Sequence, residues 1–255
     1  MSTNPQLEHH LKTLHLGSFV EQYADLAQDA QQAGWSYEQF LLALAEQEVI
    51  RRTLNRQRRL IQQAHFPMRK ELADFDFTAI PDLNRSRLLQ LVETSGYIPA
   101  AEPVIFVGNP GLGKSHLAIS LGLAACRQGY KTCFYNTAAL VNELTLAQSE
   151  QRLPKLLASA LKHRLIILDE LGFIPFAPSG AQLLFQFCSA LHEQVAIIVT
   201  TNLAFSDWPQ VFGDAKLTAA LIDRLTYQAH IFEFRGQSYR FQHHSQEATI
   251  EPISS

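Results

Sequence analysis

Residues 108–115 read GNPGLGKS, in which Gly108 is followed after four residues by Gly113, Lys114 and Ser115. This spacing is typical of a phosphate-binding loop, because its glycines let backbone N–H groups turn toward phosphate oxygens. Lys114 would reach the β- and γ-phosphates, and the Ser115 hydroxyl would face Mg²⁺. The alternative is a glycine turn without a ligand. The predicted nucleotide contacts are Gly108, Asn109, Pro110, Gly111, Leu112, Gly113, Lys114, Ser115 and His116.

The segments on either side of this loop fit that chemistry. Before it, PVIFVG is a short apolar run between Pro103 and Gly108, which predicts a buried strand. After it, KSHLAISLGLAACRQG carries apolar residues at helical spacing and stops at Gly129. Strand, loop and helix in this order would place the positive end of the helix dipole at the phosphates.

Four more strand patterns follow the loop, with helical patterns between them. The strands are predicted at 131–136 (KTCFYN), 164–170 (RLIILDE), 195–202 (VAIIVTTN) and 229–234 (AHIFEF). This alternation predicts an α/β fold with a parallel sheet sandwiched by helices. In such a sheet ligands bind at the carboxyl ends of the strands.

Polar side chains lie at the carboxyl ends of two of these strands. Asp169 and Glu170 follow four apolar residues, where adjacent carboxylates are costly unless a cation or water meets them. We expect Asp169 to reach Mg²⁺ through water or the Ser115 hydroxyl, and Glu170 to polarise the attacking water. The alternative is a structural ion pair or a helix N-terminus. Asn202 would orient the same water, or would only cap the following turn. Together these strand ends predict a hydrolytic site.

Composition limits the class of protein. The 255 residues, 47% of them hydrophobic, allow one large domain and a small one. No run approaches the roughly 20 apolar residues of a membrane-spanning helix, and MSTNPQLEHH does not resemble a secretory signal. Three cysteines in apolar runs favour free thiols in a reducing compartment, so we expect a cytoplasmic protein without a membrane partner.

The charge distribution points to nucleic acid although the net charge is −3. Residues 1–50 hold one lysine and seven acids, whereas residues 51–70 hold seven basic residues and no acid. On a helical wheel Ile50, Leu54 and Ile61 share a narrow stripe. The other side carries the candidate DNA-binding residues Arg51, Arg52, Arg56, Arg58 and Arg59. A solvated helix face is the main alternative; membrane binding is disfavoured because the stripe lacks Trp and Phe.

The organisation along the chain follows from these patterns. Residues 16–34 and 36–64 are two helical patterns, with Ser36 as the predicted N-cap of the second. We predict a helical DNA-binding and assembly module at 1–66 and a linker at 67–80 whose phenylalanines dock on the large domain. An ATPase domain at 81–241 and a polar, disordered tail at 242–255 complete the prediction.

Several segments together carry a family resemblance. They are GNPGLGKSHLA, LIILDELGFIPF, IIVTTNLAFSDWPQVFGD, LIDRLTYQAHIFEFRGQSYR and RRTLNRQRRLIQQAHFP. In order and spacing they resemble the IstB-like ATP-binding proteins of insertion sequences, relatives of the DnaC helicase loaders among the AAA+ ATPases. The resemblance covers about residues 10–241. It implies a P-loop NTPase (AAA+) that uses ATP and Mg²⁺, assembles as a homo-oligomer on double-stranded DNA, and directs or activates a transposase.

The resemblance also gives Arg224 a role. Arg224 lies where the family carries an arginine finger, a residue that enters the nucleotide site of the neighbouring subunit. The alternative role for Arg224 is a surface ion pair with Asp223 or Asp207. Arg240 matches the family pattern without a role that we can derive, and no long helical lid is expected after the last strand.

Three other functions remain open at this point. They are a DnaC-like helicase loader in replication, a P-loop kinase of a small molecule, and a nucleotide-gated structural protein with little turnover. A kinase must exclude water from its phosphate, whereas Glu170 would recruit water.

Overall fold

Two compact units make up the chain, Met1–Arg59 and Leu60–Ser255. The computed structural model describes residues 4–173 and 175–236. Three predictions lie outside the described residues: the family match of Arg240, the polar tail at 242–255, and the absence of a long helical lid after the last strand. The domain bounds drawn from the sequence stay predictions.

The amino-terminal unit is helical. Its helices are α1 (Pro5–Thr13), α2 (Gly17–Ala33) and α3 (Tyr37–Gln63). The sequence predicted α2 and α3 but missed α1. Ser36 is confirmed as the cap of α3, because its Oγ accepts a hydrogen bond from the Gln39 N–H at 3.2 Å while the Gln39 side chain accepts from the Ser36 N–H at 2.8 Å.

A buried carboxylate joins α2 to α3. Glu48 of α3 is only 7% exposed, and its Oε2 accepts a hydrogen bond from the Ser18 N–H at 2.9 Å. Its Oε1 accepts another from Arg52 Nε at 2.6 Å. Since the N-cap of α2, Leu16, has no side-chain hydrogen bond, Glu48 supplies the acceptor that this helix start needs. Burial would raise the pKa of Glu48, but the hydrogen bonds from Arg52 and Ser18 outweigh it and hold the pKa below its ordinary value of 4.5.

We expect Glu48→Gln to destabilise this unit by about 1–3 kcal/mol at neutral pH, because the charged hydrogen bonds are lost. The pKa of Glu48 is lowered in the folded state, so its stabilisation is present above pH 4.5 and is lost as the pH falls through the lowered value. Thermal unfolding of wild type and variant across acidic and neutral pH measures this difference. Glu46→Gln is the control, since Glu46 is exposed on the same helix. Equal melting temperatures of Glu48→Gln and wild type at neutral pH would contradict the assignment.

A connecting segment leads to the larger unit's sheet. It holds two short 3₁₀ helices, Leu72–Asp74 and Phe77–Ala79, and is followed by α4 (Arg85–Thr94). Leu60 and Ala64 are buried beside Cys126. The Ala64 carbonyl accepts a hydrogen bond from the Phe134 N–H at 2.9 Å, so the chain runs along the sheet edge before it reaches the linker.

The sheet contains five parallel strands, each at a position that the sequence predicted. They are β1 (Val104–Gly108), β2 (Thr132–Asn136), β3 (Leu165–Leu171), β4 (Ala196–Thr201) and β5 (His230–Phe234), in the order β2-β3-β4-β1-β5. The remaining helices are α5 (Lys114–Arg127), α6 (Thr137–Ser149), α7 (Leu153–Ala160), α8 (Pro178–Leu191), α9 (Trp208–Phe212) and α10 (Ala215–Thr226).

Helices cover both faces of this sheet, as predicted. One core joins the sheet to α4 and α5, and the other joins it to α6, α8, α9 and α10. Cys126, Cys133 and Cys188 are buried free thiols, and burial raises the pKa of Cys188 to about 12. Over the described residues, every helix is too short or too polar to cross a membrane.

Candidate functional site

The phosphate loop leaves β1 at Gly108 and enters α5 at Lys114. Gly113 is the N-cap of α5 with φ of 83°, a left-handed conformation that favours glycine. A Cβ at Gly113 would lie 2.5 Å from the ring of Phe75, and one at Gly108 would overlap the Phe234 carbonyl oxygen. Both positions therefore exclude a side chain, and the loop backbone stays close to its surroundings.

Lys114 lies inside this loop. Its side chain is buried, and Nζ donates hydrogen bonds to the carbonyl oxygens of Gly108 at 2.6 Å and Asn109 at 2.7 Å. The ammonium group is thus held across the mouth of the loop at the amino end of α5. Phosphate oxygens entering the loop would meet this charge together with the positive helix dipole.

A short hydrogen-bonded chain connects the loop to the end of β3. Ser115 Oγ donates to Asp169 Oδ1 at 2.7 Å, and Thr200 Oγ1 of β4 donates to the same oxygen at 2.6 Å. Asp169 and Thr200 are both buried. The structure brings Ser115 and Asp169 together as predicted, and it adds Thr200, which the sequence analysis missed.

Glu170 lies at an irregularity in β3. The pairing of β3 with β4 shifts register between Leu168 and Leu171, and Glu170 has φ of 59°. The predicted strand end at Glu170 is therefore wrong by one residue, since β3 continues to Leu171. This bulge exposes the Glu170 side chain, while Asp169 before it stays buried.

Two neutral groups hold Glu170. Its backbone N–H donates to Thr200 Oγ1 at 2.9 Å, and its Oε2 accepts a hydrogen bond from Asn136 Nδ2 at 3.0 Å. Neither is a cation, and Glu170 does not start a helix, so the structure gives no support to the structural alternatives for this carboxylate. Asn136 ends β2 and is a second residue that the sequence analysis missed.

Asn202 follows β4 at the same edge of the sheet. Thr201 pairs with Val107 of β1 on one side and with Leu171 of β3 on the other, so Asn202 lies between the phosphate loop and the carboxylates. The turn after β4 is capped by Thr201, whose Oγ1 accepts from the Leu203 N–H at 3.1 Å. The capping role that the sequence left open for Asn202 therefore falls to Thr201.

Arg224 lies in a different place. It belongs to α10, which packs on the face of the sheet opposite to α5. Its guanidinium carbon is 4.6 Å from the ring centroid of Phe185, and Nη1 donates to the Ala220 carbonyl at 3.4 Å. Within the described part of the chain, no ion pair joins it to Asp223 or Asp207. The structure does not bring Arg224 to its own chain's phosphate loop.

The arginines of α3 differ in their surroundings. Arg51 pairs with Glu21 of α2 at 2.9 Å, and Arg52 pairs with Glu48 at 2.6 Å and donates to the His15 carbonyl. The remaining three, Arg56, Arg58 and Arg59, are exposed. Residues 51–70 contain no acid, but Arg51 and Arg52 pair with Glu21 and Glu48, which lie outside this stretch. The DNA-binding role of the five arginines stays a prediction.

The apolar residues of the α3 stripe differ in their burial. Ile50 and Leu54 are 52% and 46% exposed, whereas Ile61 is partly buried against the core of the larger unit. The stripe is therefore not one continuous buried seam.

The linker phenylalanines do dock on the large domain. Phe75 contacts Phe77 with ring centroids 4.8 Å apart and His116 at 5.3 Å, and its ring lies against Gly113. The His116 ring also shares a hydrogen bond with the Glu71 carbonyl at 2.8 Å. The linker is thus fixed against the amino end of α5.

The sheet order, the loop after β1 and the acidic residues of β3 together define the fold of a P-loop NTPase of the AAA+ type. The chain belongs to the family described as IstB-like ATP-binding protein, whose model matches residues 9–247.

Curated relatives carry insertion-sequence names. The IS5376 putative ATP-binding protein of Geobacillus stearothermophilus is 38% identical over 227 residues, which cover 89% of this chain and 90% of that protein. The IS21 putative ATP-binding protein of Pseudomonas aeruginosa is 35% identical and covers 90% of this chain and 85% of its own length.

Solved structures share the fold. The DnaI crystal structure matches with a TM-score of 0.55 at 16% identity, covering 70% of this chain and 94% of that one. The DnaC helicase loader matches with a TM-score of 0.50 at 19% identity, covering 59% and 87%.

Proposed function

We propose that this protein is a Mg-ATP-dependent ATPase that assembles on double-stranded DNA and directs or activates a transposase in insertion-sequence transposition. Its family and the names of its relatives support the insertion-sequence context. The observation that carries the hydrolytic part is the chain Ser115–Asp169–Thr200, which ends beside the exposed Glu170.

The donor set of this chain fits a magnesium ion. Mg²⁺ takes few protein ligands and completes its shell with waters and substrate phosphates, so one hydroxyl and one carboxylate 2.7 Å apart suffice. Among the described residues, no larger group of His, Cys, Asp or Glu side chains is placed to hold a metal. When bound, the ion would neutralise charge on the β- and γ-phosphates. Ser115 and Asp169 would hold it, and Thr200 would keep the Asp169 carboxylate oriented.

Glu170 has the properties of a general base for water. Its carboxylate is exposed, and the Asn136 amide fixes one oxygen without neutralising the charge. The other oxygen can accept a proton from water beside the γ-phosphate. Asn202 would orient that water from the end of the neighbouring strand. This open, charged arrangement favours hydrolysis over phosphoryl transfer to a small molecule, which requires a dry site.

The shared nucleotide site is inferred from the position of Arg224. Arg224 belongs to α10, which covers the face of the sheet opposite to α5, and its contacts are with Phe185 and Ala220, not with its own phosphate loop. In a head-to-tail assembly of identical subunits it would instead face the neighbour's triphosphate. The rate of ATP hydrolysis would then depend on assembly, and a homo-oligomer on DNA would be the active form.

Charge reversal on α3 tests the DNA contacts. We expect the double variant Arg58→Glu, Arg59→Glu to weaken duplex binding on the order of tenfold or more, because phosphate contacts are replaced by repulsion. The slope of log affinity against log salt should fall by about one for each arginine that contacts a phosphate. Fluorescence anisotropy with labelled duplex at several salt concentrations measures both quantities.

A conservative pair serves as the control. Arg58→Lys, Arg59→Lys keeps the charge, so it should retain the salt slope with a smaller loss of affinity. Unchanged DNA binding by the glutamate pair would mean that these arginines form only a solvated helix face. Arg51 and Arg52 are less suited to this test, because their reversal would also break the pairs with Glu21 and Glu48.

Sizing on DNA tests the assembly directly. The protein is mixed with duplex DNA, with or without a slowly hydrolysed ATP analogue, and its mass is measured by light scattering after gel filtration. Growth of the complex only with the analogue supports the proposal, and equal masses contradict it. A pull-down with the transposase of the same insertion sequence and with the replicative helicase then separates transposition from helicase loading.

A further inference from the structure

Arg224 is held in place by an aromatic ring. Its guanidinium carbon lies 4.6 Å from the centroid of Phe185, within the range of a cation–π contact. One guanidinium nitrogen also donates to the Ala220 carbonyl one turn earlier in α10. The long side chain is thus folded onto the surface formed by α8 and α10, and it does not extend freely into solvent.

The ring itself is rigidly supported. Phe185 is partly buried against the core on this face of the sheet, and its neighbours in α8, Leu184 and Phe187, are completely buried. An arginine side chain has several rotatable bonds and therefore many conformations, whereas a phenylalanine side chain on a packed helix has few. The contact therefore orients Arg224 against a fixed surface.

We propose that Phe185 is a positioning residue for Arg224, which it orients before a neighbouring subunit's nucleotide arrives. This inference rests on the proposed function, in which Arg224 acts in the adjacent site. The ring contact covers part of the planar guanidinium, and the N–H groups that do not bond to the Ala220 carbonyl are left to meet phosphate oxygens. A pre-oriented guanidinium loses less conformational entropy when the interface closes, so more interaction energy remains for the transition state.

Removing the ring should lower turnover without weakening nucleotide binding. We expect Phe185→Leu to reduce DNA-stimulated ATP turnover by roughly 2- to 30-fold, the range that corresponds to the loss of one cation–π contact. The affinity of a single subunit for a fluorescent ATP analogue should stay unchanged, because Arg224 does not touch its own site. Phe185→Tyr keeps the aromatic face and should retain turnover close to wild type.

Two comparisons separate positioning from packing. Phe205→Leu is the matched control, since Phe205 is also partly buried against the same core but, among the residues that the structure describes, has no arginine over its ring. Its turnover should stay near wild type. In an Arg224→Ala background, Phe185→Leu should have no further effect on turnover. If Phe185→Leu does not fold, as judged by thermal melting, Phe185→Met replaces it as a non-aromatic variant of similar size.

Each outcome bears on one of the two proposals. If Arg224→Ala impairs turnover but Phe185→Leu or Phe185→Met does not, the positioning role is overturned and the shared site stands. An equal loss from Phe185→Leu with and without Arg224, or the same loss in Phe205→Leu, also overturns it. If Arg224→Ala leaves turnover unchanged, the shared site itself fails, whatever the Phe185 variants do.

Discussion

Glu170→Gln is expected to lower ATP turnover by roughly 10²- to 10⁴-fold, the usual contribution of a general base. The substituted side chain has the same shape and still offers an oxygen to the Asn136 amide, but it no longer accepts a proton from water at neutral pH. Binding of ATP should persist, because the phosphate loop and the Ser115–Asp169 pair are untouched. Phosphate release in the presence of DNA and binding of a fluorescent ATP analogue give the two readouts.

A carboxylate elsewhere on the same unit provides the control for Glu170. Glu193 is exposed and precedes β4, at the opposite end of the strands from the phosphate loop. Glu193→Gln should therefore leave phosphate release unchanged. Wild-type phosphate release by Glu170→Gln would mean that the nucleotide acts as a structural ligand, or that another group activates the water.

Arg224→Ala is expected to produce the largest loss, roughly 10³- to 10⁵-fold in turnover, because an arginine finger stabilises charge that develops on the transferred phosphoryl group. The loss should appear in kcat and not in the ATP affinity of a single subunit. For the wild type, turnover per subunit should rise with protein concentration, since a subunit alone lacks the finger. Steady-state phosphate release over a range of protein and DNA concentrations measures both effects.

One result would contradict the role proposed for Arg224. Full-speed turnover by isolated wild-type subunits would show that each chain carries a complete site. Arg224→Lys is an informative companion, because it keeps the charge but loses the planar fork that binds two phosphate oxygens at once. It should fall between the wild type and the alanine variant.

The sequence predicted the parts of the site that lie close together along the chain. The phosphate loop and the Asp169–Glu170 pair each depend on a strand that stops at a turn, and such local patterns are readable from residue types. Asn136 and Thr200 were missed because their roles depend on strand order. Asn136 ends β2 and Thr200 lies in β4, and only the arrangement β2-β3-β4 brings both to Glu170.

In the amino-terminal unit, the sequence did not reveal helix α1 or the ion pairs of Arg51 and Arg52. Helix α1 is short and polar, so its periodicity is weak, yet Asn4 followed by Pro5 is a start signal that could have revealed it. Arg51 and Arg52 lie in a stretch of sequence that contains no acid, and their partners lie outside it. Glu21 lies on another helix, and Glu48 lies just before the stretch. The i,i+4 spacing of Glu48 and Arg52 could have indicated their pair, whereas the pairing of Arg51 with Glu21 depends on how α2 packs on α3 and cannot be read from charge patterning.

The most direct test of the shared nucleotide site is a mixture of two inactive variants. Arg224→Ala keeps Glu170 but lacks the finger, and Glu170→Gln keeps the finger but lacks the base. If each site is completed by a neighbouring subunit, an equal mixture on duplex DNA should recover up to about a quarter of the wild-type ATP turnover, the share of interfaces that unite the two intact halves. A mixture as inactive as its components, under conditions in which both variants assemble on DNA together, would contradict the account.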